Sequence, residues 1–139
     1  MTDPPSSAER WFRRILWLGI VANLALAVPT LLIPEQMMRL SGFPIAAPLV
    51  WPRFAALLLI LLSCFYMPAG IDPNRYRVVA WLAVSARLVG VIFFVVFQPA
   101  EYHMLGYFDL VFFVPETALL ARLPRPSSTA AFASPGAGR

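Results

Sequence analysis

The apolar positions of this chain gather into four long runs separated by short polar stretches. The runs extend from about Trp11 or Ile15 to Ile33, Leu49 to Met67, Val78 to Phe97 and Met104 to Leu123. Each is near the roughly 20 residues that an α-helix needs to cross about 30 Å of hydrocarbon. The pattern predicts an all-α integral membrane protein built as an up-down bundle of four transmembrane helices, at about 11–33, 49–67, 78–97 and 104–123. Residues 1–10 form an N-terminal segment. The first run is read as a signal anchor or ordinary span, because it is too long for a cleaved signal peptide and no small-residue cleavage site follows before Pro34.

The stretches between the runs are short, so successive helices are expected to pack antiparallel. Met67 to Arg75 reads as a tight turn, since Pro68, Gly70 and Pro73 extend a helix only at a cost. The longer stretch from Pro34 to Pro48 opens with a proline suited to a first helical turn and reaches Ser41-Gly42 after Arg39-Leu40. It predicts a short interfacial helix with Met37, Met38 and Leu40 toward lipid. The tail 124–139 is Pro, Ser, Ala and Gly without periodicity and is expected to be disordered.

Composition strengthens this picture. The chain is 60% hydrophobic and 13% charged, with a mean hydropathy of +0.72. Soluble domains run about 45–50% apolar and about 25% charged. A chain of 139 residues has too little interior to hide that surplus from water. A disordered chain is excluded.

Charge orients the bundle. All eleven basic residues are arginine, which with the abundant Ala, Leu, Pro and Val fits a GC-rich bacterial genome. The net charge of +4 would suggest nucleic acid in a soluble chain. Here the arginines stand at the ends of apolar runs, and no nucleic-acid partner is expected. Arg10, Arg13, Arg14, Arg75, Arg77, Arg122, Arg125 and Arg139 lie on one side and only Arg39 and Arg53 on the other. That bias predicts a multi-pass protein of a bacterial inner membrane with both termini, including the tail, cytoplasmic. Trp11, Trp17, Trp51, Tyr66, Tyr76, Trp81, Tyr102 and Tyr107 fall near span ends, as an aromatic belt would.

Ionisable residues inside a span cost at least about 2.5–3.5 kcal/mol each on insertion scales, so they are the leading candidates for function. From the rise per residue, Arg87 lies roughly 13 Å into the third helix and Glu116 roughly 10 Å from the same side of the membrane. An Arg87–Glu116 ion pair is expected. Arg53 and Asp109 lie roughly 6–8 Å below the opposite boundary and suggest a second pair. Asp109 and Glu116 are seven residues apart, which sets both carboxylates on one helix face. Asn23 falls near the level of Arg87 and could complete a midplane cluster with Ser63 or Ser85. The candidate interior site is therefore Asn23, Arg53, Arg87, Asp109 and Glu116. Such charges can fix helix register without any chemistry, or line a ligand or proton site; both readings stand at this point.

His103 is the only histidine. With Met104, and with Met37 and Met38, it could offer soft ligands to copper(I). One histidine without a second ligand at recognisable spacing favours an ordinary interfacial residue, so neither a metal nor a cofactor is expected. Cys64, amid Leu and Phe, reads as a buried small hydrophobe.

The opening span, the Pro34-Glu35 short helix ending in Leu40-Ser41-Gly42-Phe43-Pro44, and an arginine-bearing second span together resemble small bacterial four-helix membrane proteins of the broad DoxX-like type. The resemblance covers roughly residues 11–123. It implies a four-helix membrane fold and, through members that accompany redox and thiol-handling systems, a redox setting; it carries over no catalytic residue. Two functions follow as expectations. One is a non-enzymatic accessory or assembly subunit of a larger inner-membrane complex, respiratory or electron-transfer, in contact with lipid and with other subunits or further copies of itself. The other is a small-molecule or lipid binder, or a minimal transporter, using the buried charges.

Overall fold

The computed structural model describes residues 6–123. The expected disordered tail, 124–139, lies outside the described residues. Five α-helices follow one another: α1 (Ser7–Leu32), α2 (Pro34–Leu40), α3 (Val50–Ile71), α4 (Arg77–Ile92) and α5 (His103–Arg122). A π-helical turn, Phe93–Phe97, prolongs α4, and a 3₁₀ turn, Ala100–Tyr102, leads into α5. No strand occurs among the described residues.

Four helical stretches, Ser7–Leu32, Val50–Ile71, Arg77–Phe97 and Ala100–Arg122, are long and apolar enough to cross a membrane. Only 22–28% of the residues in their most apolar windows are buried within the protein. Phe65, Val89, Phe97 and Val111 are among the many large apolar side chains left outside. Helices that are apolar all round need an apolar surrounding, and these do not supply it to one another.

Local chemistry moves the helix ends from where hydropathy alone sets them. α1 begins at Ser7, four residues before Trp11, because the Ser6 hydroxyl accepts from the Glu9 backbone N–H at 3.2 Å. Residues 7–10 are thus helical. α3 runs through Pro68 and Gly70 to Ile71 instead of turning at Met67. A proline removes only its own donor, and the Asp72 N–H still closes the last turn on the Pro68 carbonyl at 3.0 Å. The turn itself is confined to 72–76, where the Asp72 carboxylate accepts from the backbone N–H groups of Asn74 and Arg75.

α2 forms as its sequence suggests, with Pro34 at its start and Gly42 just past its end at φ +73°. The Gly42 and Phe43 N–H groups reach back to the carbonyls of Arg39 and Met38, a Schellman closure that favours glycine at that position. Leu40 points outward, whereas Met37 and Met38 are half-buried.

α1 packs against α3 and α5, and α4 packs against α5 and α3; α3 and α5 share no substantial contact. The large buried side chains gather at one end. Phe12, Leu16 and Ile20 meet Tyr66 and Ala69, Ala80, Ala83 and Val84, and Leu120 and Leu123. Tyr66 is therefore a core residue and not part of a lipid-facing belt, because its helix position coincides with the buried Ser63–Tyr66–Ala69 stripe. Polar ties reinforce the same end. The Trp17 indole and the Arg13 Nε both donate to the Gly70 carbonyl at 3.1 Å, and Arg77 donates to the Leu123 carbonyl at 3.2 Å. At the far end the rings of Phe43 and Tyr102 stack, with centroids 5.1 Å apart.

Gly106 packs α5 tightly against the π-helical turn that prolongs α4. A Cβ there would stand 2.6 Å from Val95 Cγ2 and 3.2 Å from Phe94 Cβ. The β-branched valine has little rotamer freedom with which to withdraw. Gly106→Leu is expected to lower stability by about 1–3 kcal/mol through overpacking, read as a fall in the unfolding midpoint in detergent.

Candidate functional site

The site is built on Arg87 of α4. Its side chain is 3% exposed in a mostly apolar interior, where an unpaired charge is not tolerated. Two carboxylates of α5 answer it. Arg87 Nε donates to Glu116 Oε2 at 3.0 Å, and Nη1 donates to Asp109 Oδ1 at 3.3 Å. The seven-residue spacing of the acids lets both face α4 from one side of α5. The expected Arg87–Glu116 pair is present.

Phe112 lies between the two acids on the same face, and the Arg87 Cζ sits 4.7 Å from its ring centroid. The ring supplies a cation–π surface where no further anion is available. Two glycines make room for the charged groups. A Cβ at Gly19 of α1 would collide with Arg87 Nη2, and a Cβ at Gly90 of α4 would collide with Asp109 Oδ2. The guanidinium thus ties α4 to α5 and rests on α1.

The second expected pair does not form. Arg53 is exposed on α3, and Asp109 is held by Arg87. Depth along a helix says nothing of which helices are neighbours, and α3 and α5 are not. Asn23 is buried on the Gly19 face of α1, one turn further along, but makes no hydrogen bond to the triad. Ser63 turns its hydroxyl to the Leu59 carbonyl of its own helix at 2.8 Å, and Ser85 is exposed. A serine in an apolar helix satisfies itself most cheaply on the carbonyl four residues back.

The remaining candidates are also accounted for. His103 Nε2 lies 3.2 Å from the Gln98 carbonyl, an acceptor, so the ring N–H closes the turn before α5. Met104 is exposed. Among the described residues, no three of His, Cys, Asp and Glu gather where they could hold a metal ion. Cys64 is exposed on the outer face of α3, contrary to the expected burial.

Gly19 and Phe112 belong to the site although the sequence reading passed over them. Each had a signal. Glycine inside a span costs about 1 kcal/mol of helix propensity relative to alanine, so it marks close approach. Phe112 stands three residues after Asp109 and four before Glu116, on the acid-bearing face.

Three polar atoms in or near this interior are buried without a protein partner: Arg87 Nη2, Glu116 Oε1 and the Tyr66 hydroxyl. With both acids ionised, the triad carries one negative charge more than the guanidinium neutralises. Two concavities lie elsewhere, one lined by Arg77, Val78, Trp81, Leu82 and Ser85, the other by Arg10, Arg13, Arg14 and Trp17. No family model, curated protein or solved structure matches the chain.

Substitutions should rank by the charge they strand. Arg87→Leu leaves two carboxylates uncompensated and is expected to cost about 3–5 kcal/mol. Adding Glu116→Gln to Arg87→Leu should recover part of that loss. Asp109→Asn, at the half-exposed arm, should be tolerated better than Glu116→Gln. Unfolding midpoints of the purified variants in one detergent check this order.

Proposed function

We propose that the chain is a non-enzymatic, multi-pass protein of a bacterial inner membrane that acts as an accessory or assembly subunit of a larger complex. α1, α3, α4 and α5 would form an up-down transmembrane bundle with both termini cytoplasmic, and α2 would lie at the opposite interface. The DoxX-like resemblance makes respiratory or electron-transfer assemblies the first class of partner to examine. The observation that carries this reading is the closure of the triad. Asp109 and Glu116 are both engaged by Arg87, and the groups are seated against Gly19 and Gly90. Interior charge used in this way sets helix register. It leaves the outer helix faces as the surface that partners and lipid can meet.

The surplus negative charge and the unpartnered Glu116 Oε1 favour a second reading, in which the triad holds a proton or passes one between states as a small transporter would. The infrared band of a protonated carboxyl group, lost in Glu116→Gln or Asp109→Asn, would support it; its absence from the unaltered protein would exclude a resident proton.

Gentle extraction followed by native mass measurement tests the principal reading. The expected outcome is a species heavier than the 15.5 kDa chain, containing a reproducible second subunit; a lone monomer contradicts it. Alkaline phosphatase fusions should be active after Gly42 and silent after Arg75, which reports the orientation.

A further inference from the structure

Arg10, Arg13, Arg14 and Trp17 occupy positions i, i+3, i+4 and i+7 of α1 and so form one stripe at its first turns. They line a concavity of about 440 Å³ beside the end of α3. Arg13 is held in place by the bond from its Nε to the Gly70 carbonyl, and Trp17 by its own bond to the same oxygen. Arg14 stacks over the Trp11 ring, with Cζ 5.3 Å from the centroid. Neither Arg13 nor Arg14 has an ion-pair partner among the described residues. Glu9, the nearest acid in sequence, instead accepts from Asn74 Nδ2 at 2.9 Å. Beyond the arginines, Leu18, Val21 and Val28 continue the outer face of α1 as exposed apolar surface.

We propose that this stripe seats the headgroup phosphate of an anionic phospholipid whose acyl chain lies along Leu18 and Val21. Guanidinium groups hold phosphate oxygens through paired, charge-assisted bonds. Basic pockets at the ends of membrane helices recognise acidic headgroups on the same grounds. The two-part surface decides for a lipid over a free anion. A phosphate ion uses only the arginines, whereas a lipid also covers the apolar strip and meets the indole at the boundary. The inference rests on the helices lying in a bilayer and is independent of the partner proposed above.

The test uses the full chain in uncharged micelles, titrated with phosphatidylglycerol or phosphatidylcholine carrying brominated chains, with tryptophan fluorescence as the signal. Phosphatidylglycerol should quench at a roughly five- to tenfold lower mole fraction, equivalent to about 1–1.4 kcal/mol of net preference for the charged headgroup. Trp17→Phe should remove most of the preferential quenching. The paired change Arg10→Gln and Arg14→Gln should bring the two lipids together, whereas Arg75→Gln with Arg122→Gln, an equal loss of charge at two other exposed positions, should not. Equal quenching by both lipids in the unaltered protein overturns the proposal without any variant. Equal loss in the two paired variants reduces it to general surface charge and overturns it as well. Millimolar inorganic phosphate that abolishes the preference, where the same ionic strength of chloride does not, assigns the site to a free anion and overturns the lipid.

Discussion

A guanidinium in an apolar interior must be answered on the spot, and Arg87 imposes that requirement on three helices at once. Its two carboxylates have to lie on one helix at a spacing that keeps both on one face, which Asp109 and Glu116 do from α5. Its own bulk has to be admitted by a helix without a side chain at the contact, which Gly19 of α1 provides, and Asp109 needs the same of Gly90. The flat face of the ion meets Phe112. Removing either the carboxylates or the glycines leaves a buried charge or a steric collision. The relative height of α1, α4 and α5 follows from this one group.

Elsewhere the helices are held by more ordinary means, and unevenly. At the end where α1 begins, Phe12, Leu16, Ile20, Tyr66 and Leu120 pack into the core. Donors from Arg13, Trp17 and Arg77 there satisfy the last carbonyls of α3 and α5. At the other end the buried residues are small, Ala27, Ala56 and Gly106, and the Phe43–Tyr102 ring stack joins two connecting segments. The ion triad lies between these regimes, so dehydrated charge takes over where apolar packing thins. Side-chain interlock at the crowded end is complemented by a directional bond near the middle, and most of the outer surface is left apolar.

Much of this was legible in the chain. Four apolar runs marked the four long apolar helices within a few residues, because a backbone able to cross hydrocarbon must satisfy itself as helix over a set length. The Arg87–Glu116 pair followed from depth, since rise per residue is a property of the helix alone. The Arg53–Asp109 pairing failed for the complementary reason: two residues can share a depth and still lie on helices that are not neighbours. The same missing information misplaced Tyr66 and Cys64, which differ by two residues on one helix and so face opposite environments.

What the sequence determined by itself was the solvent the protein requires, the number and length of its long helices, and the presence of charges too costly to be incidental. These depend on composition and on spacing along one axis. Tertiary structure decided which helices are neighbours, and hence that one arginine serves both acids while Arg53 stands outside. It also decided that two glycines and a phenyl ring complete the charged site. That choice is made by packing around the helix axes, where close approach depends on both partners at once and neither one's sequence contains it.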